Sequence, residues 1–143
     1  MIDKFVKEWV DRANKENAGS VNQFVSLYIA FNHLYDAEQE SRELDRIKKY
    51  GKKILVQNNY NPYSVINTGS ELLKGVKSER GQNKRTNAAV LAQQDIDELY
   101  TSLYYVRCNL FHGSKSMDDN RSVGLVNDCC SILRELFETI DIE

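Results

Sequence analysis

The sequence predicts an all-α protein: one domain over residues 1–143, built as a bundle of four main helices plus short extra helices. Three observations predict it. Only one Pro and seven Gly interrupt 143 residues, which favours long helices. Apolar side chains recur at spacings of three and four along each long segment. Cap signals stand where those segments begin and end.

In chain order, Ile2, Phe5, Val6, Trp9, Val10 and Ala13 form one stripe of a first helix, closed by Ala18-Gly19. Ser20 with Gln23 three residues on reads as a capping box. The helix it opens, about 20–38, is apolar nearly all round and therefore central. Ser41 is placed as the cap of a third helix, with Leu44, Ile47, Ile54 and Leu55 inward and basic residues outward. Gly51 weakens that helix and could divide it. Residues 57–70 hold the single Pro among turn formers and read as a loop with a short extended piece; a short helix follows at 70–77. The polar, basic segment near 77–92, beginning KSERGQNKRTN, shows no periodicity at its start and reads as a mobile loop. A long helix runs from about Gln93 to His112, with Gly113 at a left-handed cap position. Asp118 to Asn120 offer N-caps for a last helix, about 120–140, burying Val123, Val126, Cys130, Leu133, Leu136 or Phe137, and Ile140.

Composition excludes several classes. Apolar content of 41% and charge of 28% exclude a disordered chain. The longest apolar run, LYIAF, is far too short to span a bilayer, and charges interrupt MIDKFVKEWVDR too often for a signal peptide. The expected location is cytoplasmic, with no membrane partner. Cys108, Cys129 and Cys130 make a poor disulfide framework. Neither they nor His33 and His112 have zinc-ligand spacing, so no metal site is expected and the thiols read as small buried side chains. Net charge is −2 but unevenly spread: residues 1–41 carry −3, residues 42–85 carry +7 and residues 86–143 carry −6. Lys48, Lys49, Lys52, Lys53, Lys84 and Arg85 of the basic stretch are either a surface for a polyanion or a solvated face balanced by acidic neighbours.

The long helix ends in YYVRCNLFHG, residues 104–113. At ~100° per residue, Ile96, Leu99, Leu103, Val106 and Leu110 fall within about 80° and form the core stripe. Tyr100, Tyr104, Arg107 and Phe111 form a second stripe beside it. That face packs on another helix of the chain or on another subunit, and aromatic residues with Arg suit an interface centre. His112 lies about 140° beyond Arg107 on a regular helix, but a loosened terminus would let both reach one cleft. The macrodipole favours a protonated His at a helix C-terminus, and imidazole titrates near neutrality, where a general acid or base is useful. The bland reading is that His112 is a cap and Arg107 a structural cation.

These residues resemble a known family. VRCNLFHGSK is similar to the signature of HEPN domains (the higher eukaryotes and prokaryotes nucleotide-binding superfamily, here the Apea-like branch): an Arg, four to six residues, then a His near the end of the third main helix. YIAFNHLY, residues 28–35, resembles a second-helix pattern seen in part of the family. The resemblance implies a helical bundle, commonly a homodimer, with the Arg and His of both subunits lining an interface cleft. Tyr100, Tyr104 and Phe111 would then form the dimer interface. Many members are metal-independent endoribonucleases in toxin–antitoxin and phage-defence systems; others are inactive modules that bind RNA or a protein partner. Two departures stand out: Cys108 follows the Arg where active members often have a polar residue, and Ser114 stands where some family toxins carry a modified Tyr.

The implied chemistry uses the RNA's own 2′-OH as nucleophile and calls for no cofactor. Arg107 would hold the phosphate and stabilise its developing charge, while His112 moves the proton. Cys108, Asn109 and Lys115 would support them, and the basic stretch would steer the RNA backbone. The expected partners are RNA, a second copy of the chain, and a cognate antitoxin or other defence-system protein.

Overall fold

The computed structural model describes residues 4–79, 84–112 and 119–140, all helix, turn and loop with no strand among them. Its helices are α1 (Lys4–Asn14), α2 (Val21–Tyr35), α3 (Glu43–Asn58), α4 (Ala88–Ala92), α5 (Ile96–His112) and α6 (Asn120–Thr139), with 3-10 turns at Pro62–Ser64 and Glu71–Lys74. The all-α expectation holds; among the described residues five helices, α1, α2, α3, α5 and α6, have eleven residues or more, one beyond the four main helices expected, and α4 is short. No described helix is long and apolar enough to cross a membrane.

The bundle is organised around α2. Ser20 caps it by accepting from the Gln23 amide at 3.1 Å. The Gln23 side chain reaches further than a capping box requires. Its Oε1 accepts from Gly19 at 2.9 Å and from Arg134 of α6 at 3.2 Å, and its Nε2 donates to Ala13 of α1 at 3.1 Å. One buried amide therefore ties three helices. Alpha1 and α6 pack directly on α2, while α3 packs on α5. Phe24, Phe31, Leu27, Leu103 and Leu133 are fully buried at the centre.

Several expectations are corrected. Ser41 does not cap α3; Arg42 is the N-cap residue and makes no side-chain bond. Glu43 and Asp45 in the first turn meet the positive end of the helix instead. Gly51 does not divide α3. A Cβ there would stand 2.4 Å from the Tyr100 ring, so glycine is what lets α3 and α5 approach. Leu44 and Leu55 are half-buried, and Tyr50 is the buried residue that joins Ile47 and Ile54.

The segment after residue 76 is not a loose loop where it is described. Lys77 and Arg85 form an isolated antiparallel bridge, with Ser78 donating to the Lys84 carbonyl at 2.8 Å and Thr86 to Val76 at 3.0 Å. The extended piece expected at 57–70 is a 3-10 turn. Alpha5 begins later than expected because Asn87 and Asp95 cap separate helices, accepting from Ala89 at 2.8 Å and Glu98 at 2.9 Å. In α6, Asp119 is the cap, and Val123 is 52% exposed while Leu125, Cys129 and Ile132 turn inward. All three thiols are buried and free; burial pushes the Cys130 thiol up to about 12.

All eight tyrosines have raised pKa values, with burial the first cause in each. Their folded pKa values thus exceed the unfolded value of ~10. The stability this contributes is whole below pH ~10 and is lost as pH rises toward the folded values. Phenolate absorbance should therefore appear above pH ~10 together with loss of the helical circular dichroism. Substantial phenolate in a fully helical protein near pH 10 would contradict this burial.

Candidate active site around Arg107

Arg107 sits on the side of α5 that meets α2 and the start of α3. Its guanidinium carbon lies 5.3 Å from the Tyr28 ring centre and 5.1 Å from that of Phe111. Nη1 is 3.6 Å from Glu43 Oε1, and the side chain is 26% exposed. Nε is buried without a hydrogen-bond partner among the described residues. Burial pulls the Arg107 pKa down, but Tyr28 and Glu43 outweigh it and raise the value, so the charge stays fixed.

Glu43 is itself held. The Tyr35 hydroxyl donates to Oε2, and the Tyr104 hydroxyl donates to Oε1 over 3.4 Å. Tyr28 and Tyr35 hydroxyls are 3.1 Å apart, and burial raises both. The result is an anchored cation whose aromatic walls and carboxylate come from three helices. Aromatic faces and one carboxylate stabilise such a guanidinium while leaving N–H groups to grip a phosphate.

Arg107 lines an open cleft of about 210 Å³ with Phe5 of α1, Asn32 and His33 of α2, its C-cap Asp36, and Phe111. Asn32 donates to Asp36 at 2.8 Å, and the His33 ring lies 4.6 Å from that of Phe5, tilted by 30°. Sequence reasoning did not single out His33, Asn32 or Glu43 as site residues. Two of them lie inside YIAFNHLY, so that pattern carried the only signal; Glu43 carried none, being remote in sequence from α5.

His112 is the last residue of α5, exposed, and absent from the Arg107 cleft. Alpha5 runs through His112, and on a regular helix His112 lies ~140° round from Arg107. Asn109 is committed elsewhere, accepting from the Glu79 amide and donating to the Lys77 carbonyl, each at 2.8 Å. Cys108 is buried beside Tyr104, whose hydroxyl it helps raise. Lys115, Gly113 and Ser114 lie outside the described residues.

The second stripe of α5 is corrected most at Tyr100. It is 1% exposed, stacked on Phe31 at 6.2 Å, and its hydroxyl has no hydrogen-bond partner among the described residues. A side chain so enclosed by its own chain does not reach a second subunit. Tyr104 is half-buried against Glu43, and Phe111, 54% exposed, is the member of the stripe left open. Among the basic residues, Lys49 pairs with Glu40 at 3.5 Å, Lys52 with Asp97 at 3.0 Å and Lys53 with Glu38 at 3.3 Å. Lys48, Lys84 and Arg85 make no ion pair among the described residues. No family model matches the chain, and no curated protein or solved structure matches it either.

Proposed function

We propose that the chain is a HEPN-type, metal-independent endoribonuclease acting as a cytoplasmic homodimer, a toxin or phage-defence effector held by a cognate antitoxin or similar partner. The observation that carries this reading is the disposition of the motif pair. Arg107 is an anchored cation at an open aromatic cleft, and His112 stands exposed five residues on, outside that cleft. A single chain thus presents the two groups separately, and a two-fold copy supplies a second Arg and a second His for one shared site. Arg107 holds the scissile phosphate and stabilises its oxygens, while one His takes the 2′-OH proton and the other protonates the leaving 5′-oxygen.

The dimer is the first test. Phe111 and Phe5, 54% and 42% exposed, are the large apolar residues on the Arg107 cleft that are most open to a second copy. Light scattering should give a dimer at tens of micromolar (an interface of ~8 kcal/mol begins to dissociate near there), and Phe111→Asp should give a folded monomer. A wild-type monomer at that concentration would remove the composite site. RNA cleavage by the purified protein and by its His112→Ala variant tests the reaction.

A second reading, an inactive module that binds RNA or a protein partner, is favoured by one specific observation. Glu43, Tyr28 and Phe111 all engage the Arg107 guanidinium, as they would if it were a structural cation.

A further inference from the structure

The basic stretch separates into two sets. The α3 cations Lys49, Lys52, Lys53 and Arg46 each pair with a carboxylate. Arg42, Lys48 and Lys84 have no ion pair among the described residues, and all three line one cleft beside Tyr104, Tyr105 and Cys108. The cleft holds about 430 Å³, within the ~300–1,000 Å³ of ligand sites. Two carboxylates also line it. Glu43 is balanced by Arg107, and Asp45 lies in the first turn of α3, where the helix N-terminus meets its charge. Positive charge remains in excess, next to two half-buried phenol rings whose centres are 6.3 Å apart.

Unpaired cations around half-buried aromatic rings that border a cleft suit one chemistry, a single-stranded nucleic acid. Phosphates meet the cations, and an unstacked base lies on a ring. A duplex keeps its bases stacked and leaves the tyrosines unused. We infer that the α3–α5 cleft is a nucleotide subsite for single-stranded RNA, with the base on Tyr105 and the flanking phosphates on Arg42, Lys48 and Lys84. It rests on the RNA reading of the Arg107 face, to which Glu43 joins it: that carboxylate lines this cleft and pairs with Arg107. The subsite would hold the strand beside the scissile phosphate, and Lys49, Lys52 and Lys53 would lie outside it.

The test uses the whole protein and a fluorescent single-stranded 2′-O-methyl RNA of about ten nucleotides, which cannot be cut by 2′-OH attack. Binding is thereby measured apart from cleavage. Arg42→Gln/Lys48→Gln/Lys84→Gln should weaken binding at least tenfold and flatten the log–log salt slope by about two, near 0.7 per lost phosphate contact. Lys49→Gln/Lys52→Gln/Lys53→Gln removes the same charge and should change affinity less than threefold. Tyr105→Leu should cost roughly tenfold with the salt slope unchanged, and Tyr105→Phe should restore binding. Circular dichroism establishes that each variant is folded. Equal losses from the two triple variants would overturn the cleft in favour of a diffuse basic face. So would unchanged binding in the first triple variant, no binding by wild type, or competition by polyglutamate as strong as by RNA. If wild-type protein binds as predicted but cuts no unmodified RNA, the subsite stands and the nuclease reading fails. If it cuts RNA while the first triple variant binds normally, the subsite alone fails.

Discussion

Phe31→Ala should lower stability by about 3–5 kcal/mol, the usual cost of emptying a buried aromatic site. Phe31 is fully buried at the meeting point of four tyrosine rings: Tyr35 at 5.1 Å, Tyr28 at 5.7 Å, Tyr50 at 6.1 Å and Tyr100 at 6.2 Å. These rings come from α2, α3 and α5, so the void would open where the three helices join. Each aromatic pair adds ~0.5–1.5 kcal/mol beyond its buried area, though the pairs are not additive. Against a total of ~5–15 kcal/mol the loss is large, and Tm should fall by roughly 10 °C or more in a thermal circular-dichroism scan. Val123→Ala, at a position 52% exposed, should stay within ~0.5 kcal/mol of wild type. Similar melting of the two variants would show that α2 is not the centre of this core. The effect also reaches the candidate site, because Tyr28 is both a neighbour of Phe31 and a wall of the Arg107 pocket.

Local signals were legible where local physics decides the outcome. Ser20 with Gln23, and Asp119 before α6, are caps that need only their own turn, and both form. The uniformly apolar α2 is central because no other position can bury it. Errors arose where a distant element decides. The helical wheel of α5 placed Tyr100 correctly beside the core stripe but could not say what faces it. Gly51, 49 residues earlier, makes room for that ring, and only the packed helices reveal the pairing. Residues 77–79 and 84–86 looked structureless because their order comes from polar partners, the Asn109 amide and the Ser102 hydroxyl, which meets Thr86 at 2.8 Å. The same remoteness hid Glu43: no spacing rule links the first residue of α3 to an arginine near the end of α5. Arg107 itself stood out by type and position, and the fold does set it at a cleft.

On the proposed nuclease reading, His112→Ala should lower RNA cleavage by about 10²–10⁴-fold, the range of a lost general acid or base, while leaving the protein folded. His112 is exposed at the end of α5, so its truncation opens no core cavity and should cost under ~0.5 kcal/mol. Arg107→Ala should lose a comparable factor for a different reason, the loss of charge stabilisation on the phosphate. It should also cost stability of order 1–2 kcal/mol, because the guanidinium packs on two rings and leaves Glu43 without its cation. The two variants are thus separable: melting moves with Arg107 and not with His112, while activity moves with both. The double variant should be little worse than either, since groups that serve one transition state are not additive. With the 2′-OH as the proposed nucleophile, RNA should be cut and the matching DNA left intact. Products should carry a 2′,3′-cyclic phosphate and a 5′-hydroxyl, and chelation with EDTA should leave the rate unchanged. Cleavage by His112→Ala at the wild-type rate, or no cleavage of any RNA in a broad panel by the wild-type dimer, would sink the nuclease. Arg107 would then be what its contacts with Glu43, Tyr28 and Phe111 equally permit, the structural cation of an RNA- or protein-binding module.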